Sequence, residues 1–138
     1  MRQNVVLTIA SLLSILFTTL HVTDDIVRGM EPGKLADLIV VPILVVWLYG
    51  TLVLAGKRSG YVIILLGSLL GLVVPVIHMK GAGVGGVIAK SSGAFFFIWT
   101  LLALGVTTFF SIILSARGLW EHLRSTSKVP VHEATIRK

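Results

Sequence analysis

Charge is distributed along this chain in a way that leaves few options for its fold. No Asp, Glu, Lys or Arg occurs in residues 3–23, 38–56, 59–79 or 91–116, and short charged segments separate these runs. An apolar helix spans about 30 Å of hydrocarbon with about 20 residues, at about 1.5 Å per residue. All four runs meet or approach that length. The chain therefore reads as an all-α membrane protein, with four transmembrane helices in an antiparallel up-down bundle. The expected spans are about 4–24, 35–55, 60–78 and 94–116, within a membrane domain of residues 1–119. Residues 120–138 form a polar, basic tail containing Pro130. Composition agrees, since 13% of the 138 residues are charged, against about a quarter in soluble domains.

Local signals set the helix ends. Gly29 and Pro32-Gly33 stop the first helix, which continues past the hydrocarbon to about Arg28. Gly56-Lys57-Arg58-Ser59-Gly60 makes a tight turn, so the second and third helices are neighbours. Residues 79–93 are too glycine-rich for a stable helix and form the longest internal loop. Within it, Gly81-Ala82-Gly83-Val84-Gly85-Gly86 matches the dinucleotide fingerprint. The match has no strand before it, and no acidic residue follows between Asp37 and Glu121, so it carries no nucleotide reading. A connector, or a lid over the neighbouring polar residues, is the alternative.

Counting basic residues gives the orientation. One side holds Arg2, Lys57, Arg58, Arg117, Arg124, Lys128, Arg137 and Lys138, and the other Arg28, Lys34, Lys80 and Lys90. The excess places both termini in the cytoplasm, in a bacterial-type inner or plasma membrane. The stretch after Arg2 lacks the small-residue cleavage pattern of a secretory signal and reads as a retained span. Tyr61 and Trp120 are expected at the inner interface and Phe95 to Phe97 at the outer one. Arg117, Trp120 and Arg124 make a basic, aromatic juxtamembrane segment suited to lipid headgroups. The basic residues lie mostly at membrane edges, which accounts for the net charge of +6 without nucleic acid.

Helices in lipid meet through small and hydrogen-bonding residues. Gly60, Gly67, Gly71, Pro75 and His78 fall within roughly 80° of arc on the third helix, with Gly67 and Gly71 forming a close-packing pair. The fourth gathers Thr100, Thr107, Ser111 and Ser115. The first gathers Ser11, Ser14, Thr18, His21, Asp25 and Arg28, and the second aligns Asp37, Thr51 and Ala55. Gly67, Gly71 and Ser111 are the expected packing positions.

The ionisable residues on these stripes carry whatever chemistry the chain has. His21, Asp24, Asp25 and Arg28 project from one helix face, and Asp24 and Asp25 stand at ion-pairing distances in sequence from Arg28. If the stripes face each other, His21, Asp25, Asp37 and His78 converge at the outer end of the membrane. Imidazole nitrogens and carboxylate oxygens in that number suit a divalent cation such as zinc or manganese. Structural ion pairing and proton handling are the competing accounts. With no cysteine in the chain, thiolate chemistry, disulfides and cysteine-held metal clusters are excluded.

Three functions fit these residues. The first is a small membrane protein that binds or moves an ion, proton or divalent metal, through the outer His/Asp cluster, working as a homo-oligomer. The second is a non-catalytic module that docks or stabilises a partner protein through its basic tail. The third is an intramembrane metal-dependent hydrolase, in which Asp24 or Asp37 would have to serve as general base. The non-enzymatic readings need fewer unassigned parts. His122 and His132 lie in the tail without a ligand pattern. His21 and His78 each end the first helix of a hairpin, which hints at a parallel repeat, although the two loops that follow differ in character.

Overall fold

The computed structural model describes residues 2–29, 38–80, 90 and 93–126. They form four helices, α1 (Arg2–Val27), α2 (Val40–Leu52), α3 (Arg58–Lys80) and α4 (Ala94–Thr126), with no strand among the described residues. Helices α1, α3 and α4 are long and apolar enough to cross a membrane. At 13 residues, α2 covers only about 20 Å and is shorter than the expected 35–55 span. Its early end has a local cause. Residues 53–57 turn through Gly56, at φ +75°, and the turn lays the Leu54 carbonyl against Gly60, where any side chain would collide. At the other extreme, α4 runs through Thr126, so residues 120–126 are helix rather than tail.

The distribution of side chains is the reverse of a soluble protein's. Leu, Val, Ile and Phe cover the outside, with Val5, Leu66, Leu102 and Phe109 all more than half as exposed as they can be, whereas Ser11, Ser14, Thr51, Ser68, Thr108, Ser111 and Ser115 are fully buried. Such an exterior matches lipid, and the interior relies on close approach and hydrogen bonds. Gly67 shows how close. A β-carbon there would lie 2.5 Å from the Trp47 ring, and one at Gly71 would lie 2.9 Å from Thr108 Cγ2. Gly67 and Gly71 are thus packing positions, and they receive α2 and α4.

Trp47 anchors this contact from α2. Its indole Nε1–H donates to Ser11 Oγ at 2.9 Å, and Ser11 and Thr51 hydroxyls are 2.7 Å apart. Because Thr51 already donates to the Trp47 carbonyl at 2.8 Å, the Ser11 proton goes to Thr51, and the three groups satisfy one another. The expected interfacial positions of two aromatics are corrected by the packing. Tyr61 is buried and donates to Asn4 Oδ1 at 2.7 Å, while Phe97 is completely buried even though Phe95 is 82% exposed. Consecutive residues on a helix point about 100° apart, so the aromatic triplet is divided between lipid and core. On α4 Thr100 and Thr108 are buried, with Thr107 only partly covered, and Ala55, in the turn after α2, is exposed.

A register emerges that the sequence alone scarcely suggests. Asn4 meets Tyr61 and His21 meets His78, each pair 57 residues apart. At that spacing Ser11-Leu12-Leu13 matches Ser68-Leu69-Leu70. The buried positions Leu7, Ala10, Ser11, Ser14 and Thr18 correspond to the buried Ile64, Gly67, Ser68, Gly71 and Pro75. Helix α4 follows α2 in the same way, since Thr51 and Thr108 are both buried and each donates to the carbonyl of the residue four before it. Both α2 and α4 pack against α1 and α3, and among the described residues no backbone position of α2 comes within 8 Å of one on α4.

Candidate metal centre

Near the ends of α1 and α3 and the start of α4, three polar side chains meet. His21 Nε2 lies 3.6 Å from Asp25 Oδ2, and His78 Nε2 lies 3.4 Å from the same oxygen. The imidazoles stand edge to face, with centroids 4.8 Å apart. One ligand atom from each of the three residues lies within 4.8 Å of the others. The helical spacing of His21 and Asp25 delivers two of them from one face of α1, and the stripe of small residues on α3 carries His78 towards them.

The other ring nitrogens fix the tautomers. His78 Nδ1 is 2.9 Å from the Val74 carbonyl, which can only accept, so Nδ1 carries a proton. His21 Nδ1 is 3.4 Å from Thr100 Oγ1. Thr100 points its own proton at the Phe96 and Phe97 carbonyls, at 2.9 and 3.0 Å, so its oxygen is the acceptor. With Nδ1 protonated, the neutral form of each ring would present its Nε2 lone pair towards Asp25. Supporting hydrogen bonds on the far nitrogen are the usual setting of a histidine that ligates a metal.

Distances then separate a direct ion pair from a bridged one. A charge-assisted N–H···O bond closes to about 2.7–2.9 Å, shorter than the 3.4 and 3.6 Å found here. Ligands about 2.1 Å from a tetrahedral zinc are about 3.4 Å apart. Octahedral ligands at about 2.1 Å are closer, at about 3.0 Å. The two nitrogen–oxygen separations are near the edge length of a tetrahedral site, the three ligand atoms lie within 4.8 Å of one another, and His21 Nε2 is buried without a hydrogen-bond partner. A tetrahedral cation held by these three residues would keep a fourth position for a small external group.

Phe97 closes one wall. Its ring centroid lies 5.0 Å from that of His21 and 5.6 Å from that of His78, and it packs with Leu101, Val74 and Ile98. Access is widest at His78, whose side chain is 17% exposed, against 8% for Asp25 and none for His21. Phe97 was not distinguishable from its neighbours in sequence by composition. Its helical alignment with Thr100, Leu104 and Ser111 is the signal that marks it as inward-facing.

The chain matches no protein-family profile, no curated protein and no solved structure. The assignment of the site therefore rests on its own geometry.

The remaining candidate residues separate clearly. Asp24 stands outside the trio, receiving Arg28 Nε–H at 2.7 Å. The Arg28 Nη2 group also donates to the Gly93 carbonyl at 3.1 Å, and the guanidinium lies 5.9 Å from the Phe97 ring centre. The Asp24–Arg28 pair thus clips the end of α1 to the start of α4. It also engages Asp24, one of the two carboxylates expected as base in the hydrolase reading. Asp37 lies outside the described residues, as do the glycine-rich segment 81–89 and His132. At the other end, Trp120 is exposed with Arg124 4.8 Å from its ring centre, and Arg117 pairs with Glu121 at 3.0 Å. His122 gains a partner there, donating from Nε2 to the Gly56 carbonyl at 3.1 Å.

Proposed function

We propose that this chain is a small multi-pass membrane protein that binds a divalent cation, zinc by preference, at His21, Asp25 and His78. The observation that carries this reading is the pair of Nε2 atoms set 3.6 and 3.4 Å from one carboxylate oxygen, with both Nδ1 protons engaged elsewhere. In this reading the four helices form an antiparallel up-down bundle with both termini cytoplasmic, so the site lies towards the outer surface. The basic-residue count and the contacts of Asn4 with Tyr61 and of His21 with His78 support that arrangement.

The interior below the site favours cations. Ser14, Thr18, Thr108 and Ser115 each donate to the carbonyl four residues earlier, at 2.6 to 2.8 Å. Their protons are thereby committed to the helix, and the hydroxyl oxygens keep lone pairs for an inward-facing partner. Passage of the ion is an extension of the binding reading, measured as zinc entry into liposomes containing the protein.

Binding itself is tested by mass spectrometry of metal content in detergent-purified protein after zinc exposure and washing. The wild type should retain about one zinc per chain, and a His21→Ala/His78→Ala variant should lose it. Absence of zinc from the washed wild type would overturn the proposal.

A further inference from the structure

Ser68 on α3 and Ser111 on α4 are fully buried, and neither hydroxyl has a hydrogen-bond partner within the protein. Buried polar groups are nearly always satisfied, by protein or by water. Inside a membrane, where lipid supplies no donor, the penalty for an orphan is larger still. Two such hydroxyls in one interior call for a shared explanation.

The register of α3 against α4 sets them at one level. Tyr61 lies against Gly118, Gly71 against Thr108, and Pro75 against Gly105. In each pair the residue on α3 rises as that on α4 falls, and the same register sets Ser68 opposite Ser111. Thr108, one turn before Ser111 and against Gly71, adds an acceptor oxygen, since its proton goes to the Leu104 carbonyl at 2.6 Å.

The 57-residue correspondence shows what differs between the halves. Ser11 is the counterpart of Ser68, and it is satisfied by the Trp47 indole and by Thr51. Leu104 stands where Trp47 stands in the first half. Leucine offers no donor, and an indole exceeds its side chain by more than the roughly 30 Å³ share of one water. We propose that Ser68 and Ser111, with Thr108, bind a buried water that takes the place the indole fills in the first half. It would receive hydrogen bonds from the serines or donate to them and to Thr108, within the two to four polar partners that a buried water needs. The interior beneath the histidine–aspartate site is then hydrated part-way across the membrane.

The sign of a stability change tests this on the full chain. A Ser68→Ala/Ser111→Ala variant in detergent should unfold about 3 °C or more below the wild type, because a bridging water loses its partners. Dry orphan hydroxyls would give the opposite result, since their removal relieves a desolvation cost; an unchanged or higher unfolding temperature overturns the proposal. Should the variant fail to fold, water-edited solid-state NMR of the wild type in bilayers decides. Ser68 and Ser111 should receive magnetisation from water as early as exposed residues do, and late transfer to both overturns the proposal. Both measurements are made without zinc, so their outcome is separate from that of the metal reading.

Discussion

The His78 ring is held through Nδ1 by a carbonyl of its own helix, so its removal takes away a proposed ligand while sparing the packing of α3. His78→Ala should weaken zinc binding by more than the 10- to 100-fold that loss of a supporting partner costs, measured by competition with a chelating dye. Thr100→Val tests the support itself. It deletes the acceptor for His21 Nδ1 and should cost about tenfold in zinc affinity with little change in unfolding temperature. Arg28→Gln should do the reverse, lowering stability by about 1 kcal/mol through the lost clip to Asp24 and Gly93, with zinc stoichiometry retained. His21, Asp25 and His78 were legible in sequence because helical spacing alone puts the first two side by side and the glycine stripe points the third inward. Phe97 was missed, since three adjacent phenylalanines look alike by composition and only the alignment of Phe97 with the polar stripe of α4 separates it from its neighbours.

At the scale of elements, the α2–α3 contact depends on the absence of a side chain at Gly67. Gly67→Ala would force the Trp47 ring aside and should destabilise the protein by about 1–3 kcal/mol, read as a lower unfolding temperature in detergent. The seam was visible in the sequence, but the ring that fills it was not. A tryptophan within a membrane span is usually read as an interfacial anchor, and only its place four residues before Thr51 ties it to a polar stripe. Helix limits were less legible than helix existence. A charge-free run records which residues lipid tolerates, whereas α2 ends where the turn through Gly56 docks on Gly60.

For the whole molecule, the halves resemble each other more in burial than in sequence. Hydrophobic residues interchange freely on lipid-facing positions, which hides most of the correspondence apart from Ser11-Leu12-Leu13 with Ser68-Leu69-Leu70, Thr51 with Thr108 and the two histidines. Orientation rests on charge and is open to direct measurement, because the chain contains no cysteine. Single variants Ser59→Cys and Ser125→Cys should react with an impermeant maleimide only from the cytoplasmic face, and Lys90→Cys only from the opposite face. Labelling of Ser59→Cys and Lys90→Cys from one side would overturn the topology. The brevity of α2 bears on the lipid as well. Its 13 residues cover about 20 Å, against about 30 Å for a typical hydrocarbon core. If α2 spans the membrane as the four-span reading has it, the flank beside it should favour lipids with shorter or more disordered acyl chains than those beside α3 and α4, and the protein should prefer thinner membranes.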